Sequence, residues 1–185
     1  MNAPILPDHD GLLAMWRRLA AGKENVHSDG YELNERGEVL KNSHPSARRQ
    51  IVFTDIFCCV TEQIGHLAAM SVPVITPFFG IRVPDVIWMP AERWEGVDRD
   101  EPLRFVPDLC VEVLLDSERT QDIGRRVDAY LEGGAAEVIV VDQCGRVKVW
   151  GAEGRRHASM LGINLSLDHV YFDETGASAK LGIRC

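Results

Sequence analysis

A single carboxylate stands inside the most apolar run of the chain. In Asp108-Leu109-Cys110-Val111-Glu112-Val113-Leu114-Leu115, Glu112 has only β-branched, aliphatic or thiol neighbours for three residues on either side. An ionised group there is costly unless it is paired, protonated or bound to a metal. Asp85 lies in similar surroundings, at the entrance of the preceding strand-like run Val83-Pro84-Asp85-Val86-Ile87. Two carboxylates projecting from neighbouring strands make an oxygen-rich site suited to Mg²⁺ or Mn²⁺, which favour carboxylate, carbonyl and water. The carbonyl of Val113, pointing sideways from the strand beside Glu112, can add a third ligand. A metal so held orients a water, lowers its pKa and neutralises charge building on a phosphate. Two other readings of Glu112 remain: a strand register that leaves it at the solvent end, or a salt bridge to an arginine. Side chains two apart on a strand share a face, so a lysine two residues after Glu112 would stand beside the metal. That position is Leu114.

The elements that must position these groups alternate between helix and strand. Gly11 to Ala21 reads as a short amphipathic helix closed by Gly22, and Tyr31-Glu32-Leu33 with Gly37-Glu38-Val39 reads as a hairpin. From Pro45 to Leu67, Ile51, Phe53, Ile56, Phe57, Val60, Ile64 and Leu67 recur at helical spacing. Residues 72–89 turn to strand character, broken at Gly80, with Pro84 suited only to a strand start or edge. Residues 90–107 are a charged connector with at most a turn of helix at Ala91–Trp94. Leu109 to Leu115 reads as a strand buried on both faces. A helix over 120–132 follows, closed by Gly133-Gly134, then a second buried strand in Ala136–Asp142 and a partner strand in Gly145–Gly151. Further short strands are expected around Arg156–Met160 and Val170–Phe172. The class is α/β, a central mixed β-sheet flanked by helices, with a βαβ-like unit in its second half.

The bulk numbers set outer bounds. The chain has 185 residues, 45% hydrophobic and 26% charged, enough for one domain that buries roughly 70% of its unfolded surface. No apolar run approaches the roughly 20 residues a membrane span needs, and MNAPILPDHD lacks a secretory pattern. A cytoplasmic location with no membrane partner is expected. Cys58, Cys59, Cys110, Cys144 and Cys185 are scattered and odd in number, arguing for free buried thiols over a disulfide framework or zinc site. Net charge is −8, against the basic surface usual for gripping phosphates. The pairs Arg17–Arg18, Arg48–Arg49, Arg125–Arg126 and Arg155–Arg156 offer only local basic patches. His44, His66 and Trp88 read as ordinary surface or core residues, and Gly133-Gly134 lacks the Gly-Lys that a phosphate loop requires.

Several phrases together carry a resemblance. Gly80-Ile81-Arg82-Val83-Pro84-Asp85-Val86-Ile87-Trp88-Met89 is followed by Pro107-Asp108-Leu109-Cys110-Val111-Glu112-Val113-Leu114. Then come Asp122-Ile123-Gly124-Arg125-Arg126-Val127-Asp128-Ala129-Tyr130-Leu131 and Gly134-Ala135-Ala136-Glu137-Val138-Ile139-Val140-Val141-Asp142. With the hairpin Tyr31-Glu32-Leu33 and Gly37-Glu38, their order and spacing resemble the PD-(D/E)XK nuclease superfamily. More narrowly, they resemble the bacterial Uma-type restriction endonucleases, across residues 30–150. The resemblance implies a restriction-endonuclease-like fold, Mg²⁺-dependent (or Mn²⁺-dependent) phosphodiester hydrolysis, nucleic acid as substrate with DNA the expected form, and a homodimer. It makes Asp85 and Glu112 metal ligands and Glu32 or Glu38 a further acidic contributor. It divides a single domain, 1–185, into an N-terminal helix and lead-in (1–29), a nuclease-like core (30–150) and C-terminal strands (151–185).

Two positions depart from the family pattern. In the relatives the catalytic lysine has migrated to the helix, one turn after an aspartate matching Asp122, and here the matching residue is Arg126. Asp122 and Arg126 are four apart, about 6 Å along the axis, so they share a helix face. Arginine keeps a charge that can stabilise a phosphorane-like transition state, but it holds its proton and offers a planar fork in place of a compact ammonium. As a plain structural residue, Arg126 would form an exposed ion pair with Asp122. The second departure is Arg49, where relatives commonly carry histidine. The expected function is a metal-dependent endonuclease acting through Asp85, Glu112, Arg126 and the Val113 carbonyl. The rival, motivated by the net charge and the missing lysine, is a non-catalytic member of the fold that binds or oligomerises.

Overall fold

The structure is a computed structural model that describes residues 8–22, 30–41, 46–65, 68–114, 117–142 and 144–167. It opens with α1 (His9–Ala20), whose first turn is capped by Asp8 accepting from the Gly11 N–H at 2.8 Å. Leu12, Leu13 and Leu19 bury one stripe of this helix against Leu33, Ile75 and Ile81. Strands β1 (Tyr31–Leu33) and β2 (Val39–Lys41) form the expected hairpin. Its turn is organised by Asn34 Oδ1, which accepts from the N–H groups of Arg36 and Glu38, with Gly37 at φ +78°.

The long helix is α2 (Ala47–Ile64), capped by Ser46, and it ends at Gly65 with φ +99°. Then come β3 (Ala69–Met70), β4 (Val74–Thr76), β5 (Gly80–Arg82) and β6 (Val86–Trp88), a 3-10 turn at Ala91–Trp94, and β7 (Leu109–Val113). Helix α3 (Ser117–Glu132) crosses back to β8 (Glu137–Val141), and β9 (Val147–Gly151) and β10 (Gly154–Arg156) follow as antiparallel strands.

Two sheets result. The larger, in the order β10-β9-β8-β7-β6-β3, is mixed: β7 and β8 run parallel and the other pairs antiparallel. Parallel neighbours need a crossover, and α3 supplies it. The smaller, β2-β1-β5-β4, is antiparallel throughout. The strand-rich stretch 72–89 is thus shared between two sheets, because Pro84 donates no ladder bond and the chain changes sheets between Arg82 and Val86.

Strand β7 explains its own unbroken apolar sequence. Leu109, Val111 and Val113 pack with Val52, Phe53, Ile56 and Val60 of α2, while Cys110 and Leu114 pack with Val127 and Tyr130 of α3. Both faces are covered, so both residue sets are apolar. Glu112 falls by alternation on the α3 face.

Some expectations are corrected. The strand placed at Arg156–Met160 lies at Gly154–Arg156, because Gly154, at φ +110°, lets the chain turn straight back onto β9. The strand expected at Val170–Phe172 lies outside the described residues, as do His44, His66 and Cys185. Cys110 is a buried free thiol, but Cys58 is exposed and Cys59 half-buried. Cys144 is disulfide-bonded and is not the free thiol expected. No described helix is long and apolar enough to cross a membrane.

Candidate functional site

Glu112 points from β7 toward α3 and meets two residues one helical turn apart. Tyr130 donates its hydroxyl to Glu112 Oε1 at 2.6 Å, and Arg126 Nη1 donates to the same oxygen at 3.2 Å. The guanidinium of Arg126 is shared with the hairpin: Nη1 donates to Glu32 Oε1 at 2.8 Å and Nη2 to Glu32 Oε2 at 2.6 Å. Glu32 also accepts from the Val83 N–H at 2.9 Å and from Arg82 Nη1 at 3.2 Å. Arg82 reaches Asp122 Oδ2 at 3.5 Å, and Arg126 Nε lies 3.7 Å from the same oxygen.

Asp85 belongs to a second lobe of the cluster. Its Oδ2 accepts from the Val113 N–H at 2.7 Å and its own N–H donates to the Val111 carbonyl at 2.9 Å. Its Oδ1 accepts from Arg49 Nη2 at 3.3 Å, and the same Nη2 lies 3.5 Å from the Val113 carbonyl oxygen. Arg49 comes from the first turn of α2, where its N–H donates to the capping Ser46 hydroxyl, and its guanidinium lies over the Phe53 ring at 5.1 Å.

The structure therefore gathers Glu32, Glu112, Asp122 and Arg126 on the α3 side of β7, and sets Asp85 with the Val113 backbone and Arg49 of α2 in a second group. Glu38 is not among them: it is exposed and holds the hairpin turn by accepting from Asn34 Nδ2 at 2.6 Å. The ion pair between Asp122 and Arg126 exists but is the longest contact that Arg126 makes in the cluster, and only 5% of Arg126 is exposed. Sequence reasoning passes over Arg82 and Tyr130 as site residues and marks Arg49 only as a departure from the family pattern. Tyr130 carries a signal in hindsight, four residues after Arg126 and so on the same helix face. Arg82 is a charge inside an apolar strand, the same anomaly that marks Glu112.

Charge is balanced within the cluster. Glu32, Asp85 and Glu112 are 1%, 3% and 0% exposed, and Arg49, Arg82 and Arg126 are 5%, 1% and 5% exposed. Such ions are tolerable only as a mutually bonded set. Burial alone would raise the Glu32 carboxyl, but the charge and hydrogen bonds of Arg126, with Arg82 and the Val83 N–H, hold it below its ordinary value. Burial opposes the charge on Arg126, yet Glu112 and Glu32 keep its pKa above the ordinary arginine value, so it stays protonated. Burial, with the charge of Glu112 beside it, pushes the Tyr130 hydroxyl well above its usual range, so it acts as a donor.

Among the described residues no three acidic, histidine or cysteine side chains converge as a metal-binding group. Asp85 Oδ1 and the Val113 carbonyl do face a common point, the one that Arg49 Nη2 occupies. Two hard oxygens aimed at one cation are the donor chemistry of Mg²⁺ or Mn²⁺, so the residues fit such an ion in kind, with a guanidinium standing in its position. Leu114, at the place where a strand lysine would stand, is buried with Val127, Tyr130 and Val140.

Among solved structures, the fold resembles that of a protein from Anabaena variabilis described as a "putative nuclease". The match covers 90% of this chain and 97% of that one, with a TM-score of 0.65 at 14% sequence identity. No curated protein matches the sequence. The pattern of the Uma2 family, described as "Putative restriction endonuclease", matches residues 27–167. That span takes in the hairpin with Glu32, the bend with Asp85 just before β6, the strand bearing Glu112, and the helix bearing Arg126. The chain belongs to the Uma2 family.

Proposed function

We propose that the protein is an endonuclease that hydrolyses phosphodiester bonds of nucleic acid, DNA being the expected form, with Mg²⁺ or Mn²⁺ as cofactor. The observation that supports this reading is that Asp85 Oδ1 and the Val113 carbonyl both face one cationic nitrogen, on the strand that carries the buried Glu112. Asp85, Glu112 and the Val113 carbonyl would hold the ion. When bound, it would supply Lewis-acid activation of a water and neutralisation of charge on the phosphate.

The chain's own residues do the rest. Tyr130 and Arg126 fix the Glu112 carboxylate through Oε1, and Glu32, held in turn by Arg82 and Val83, fixes the plane of Arg126. Arg126 stays charged, so its part is to stabilise negative charge on the phosphate and not to accept a proton. Membership of the Uma2 family supports nucleic acid as the substrate class. We extend the proposal to a homodimer, checked by light scattering, and to a cytoplasmic location, checked by cell fractionation.

The test is an assay with Mn²⁺ on single- and double-stranded DNA and RNA. Cleavage by the wild type should fall by roughly 100-fold or more in Asp85→Asn and Glu112→Gln. A second reading, a family member that binds without cutting, is favoured by Leu114 at the strand-lysine position and by the commitment of Arg126 to Glu32. Cleavage seen only in Arg126→Lys would establish that reading. Silence in every variant, all folded, would sink the nuclease assignment.

A further inference from the structure

The α3 face of the large sheet does not end with β8. Val138 and Val140 of β8 pack in the core with Val127 and Tyr130 of α3. Across the ladder, Val138 stands opposite Trp150 and Val140 opposite Lys148, and Trp150 in turn stands opposite Arg155 of β10. Directly paired residues share a face, so Trp150, Lys148 and Arg155 continue the side that carries Glu112. Between β9 and α3 lies a cavity of about 480 Å³, within the roughly 300–1,000 Å³ of small-molecule sites. Val140 and Trp150 line it from the sheet, and Ile123, Val127 and Leu131 from the helix. Leu114 lines it as well, and its N–H prolongs the β7 ladder by donating to the Val141 carbonyl at 2.8 Å. Leu114 follows Glu112 on the same strand face by two residues, about 7 Å along the strand. The cavity therefore adjoins the candidate site.

Its lining is apolar within and charged where it is exposed. Arg146 and Lys148, 69% and 38% exposed, share one carboxylate oxygen, Asp142 Oδ2, at 3.7 and 3.6 Å. Arg155 is exposed on the same face. These three cations meet the carboxylates of Asp142 and Asp128, which makes the mouth locally basic on a chain of net charge −8. The helix wall is kept low by Gly124: glycine is unfavourable inside a helix, yet a Cβ there would meet nothing within 4 Å. Trp150 Nε1 is buried with no hydrogen-bond partner among the described residues. Trp88 and Trp94 share that property but do not border this cavity. We propose that the cavity takes one unstacked base of a single nucleic-acid strand whose backbone runs past Glu112, with Trp150 against the base and Arg146, Lys148 and Arg155 on the phosphates. The substrate class rests on the nuclease reading above. A base is flat and apolar on its faces, which suits the indole and aliphatic lining, and its phosphates suit the cations at the mouth. An aromatic side chain flanked by basic ones is the usual means of holding a single strand.

The experiment measures binding of a short fluorescein-labelled single-stranded DNA to the full chain by anisotropy, in EDTA so that nothing is cut. It compares wild type with Gly124→Leu, Trp150→Leu and Lys148→Glu. Gly124→Leu fills the cavity from the wall that has room, and leucine is the better helix former, so the fold is kept. Gly124→Leu and Trp150→Leu should each weaken binding by about fivefold or more, the low end of what stacking one base contributes. Lys148→Glu should weaken all strands alike and make the salt dependence shallower. An abasic site walked along the strand should weaken binding to the wild type by a similar factor at one position, and at that position Gly124→Leu should cost nothing further. The abasic strands test the wild type itself, so the inference does not depend on any variant folding.

Equal affinities of wild type and folded Gly124→Leu, or a strand in which no single base matters, overturn the inference. So does a cavity filled by nucleoside monophosphates while the strand is ignored, which would make it a site for free nucleotides. If the wild type still cleaves with Mn²⁺ in those cases, the nuclease reading stands without the base pocket. A folded wild type that neither binds nor cleaves nucleic acid removes both.

Discussion

Arg126 on α3 and Glu32 on β1 are 94 residues apart in sequence and joined by two parallel hydrogen bonds of 2.8 and 2.6 Å. This fork ties the hairpin of the small sheet to the helix that covers the large one. Without its partner each would keep only its longer ion pairs in the interior, Glu32 with Arg82 and Arg126 with Glu112 and Asp122. Arg126→Ala should therefore cost about 3–5 kcal/mol of folding stability, as when one partner of a buried ion pair is removed. Arg126→Lys keeps the charge but loses the fork, and should cost less. Urea unfolding of the three proteins side by side checks the order.

The acid side of the stability profile follows from Glu32. Its carboxyl titrates below the ordinary 4.5 in the folded protein, so the unfolded chain takes up a proton first as pH falls. The contribution is fully present above 4.5 and is lost as pH drops through the folded value. Thermal melts from neutral pH into that window should show a steep fall for wild type and a shallower one for Glu32→Gln, which has no proton to gain. Parallel curves would show that other carboxylates govern the acid limb.

Tyr130 positions Glu112 from the helix. Tyr130→Phe removes one hydrogen bond to a buried carboxylate and little volume, so about 1.5–3 kcal/mol of stability should be lost. If Glu112 acts at the site, kcat should fall while KM for a nucleic-acid substrate changes little. A loss of stability with kcat unaltered would make Tyr130 purely structural.

Placing lysine at position 114 should not repair the site. Leu114 packs with Val127, Tyr130 and Val140, and a lysine there would bury an ammonium among them. We expect Leu114→Lys to melt well below wild type and to show no gain in Mn²⁺-dependent cleavage. A folded, faster Leu114→Lys enzyme would reverse this assignment of the face.

Much of this was legible in the chain itself. The Glu112 anomaly, the two-faced strand around it and the βαβ spacing all follow from local chemistry, and each is a short-range pattern. The second sheet was not legible, because three-residue strands such as β4 and β5 carry too few positions to declare a period. The balancing arginines were harder still. Arg126 and Arg49 stand out in sequence only as departures from the family pattern and Arg82 only as a charge in an apolar run, and it is their burial against Asp85 and Glu32 that reveals what they neutralise. Glu38 shows the converse error: it sits in the right hairpin, but six residues beyond Glu32 the chain has already turned to solvent.

Asp85 has one more role, and it governs how any experiment on it is read. Its N–H bonds the Val111 carbonyl and its carboxylate bonds the Val113 N–H, so one residue spans the backbone on both sides of Glu112. It works as an extra rung of the ladder between β6 and β7, pinning the alignment Val86↔Val111. A slip of one residue in β7 would swing Glu112 onto the apolar face of α2, since strand faces alternate. Asp85 thus fixes which way Glu112 looks before it does any chemistry. Asp85→Ala would loosen that alignment and erase an acceptor at once, whereas Asp85→Asn keeps an oxygen for the rung and isolates the charge.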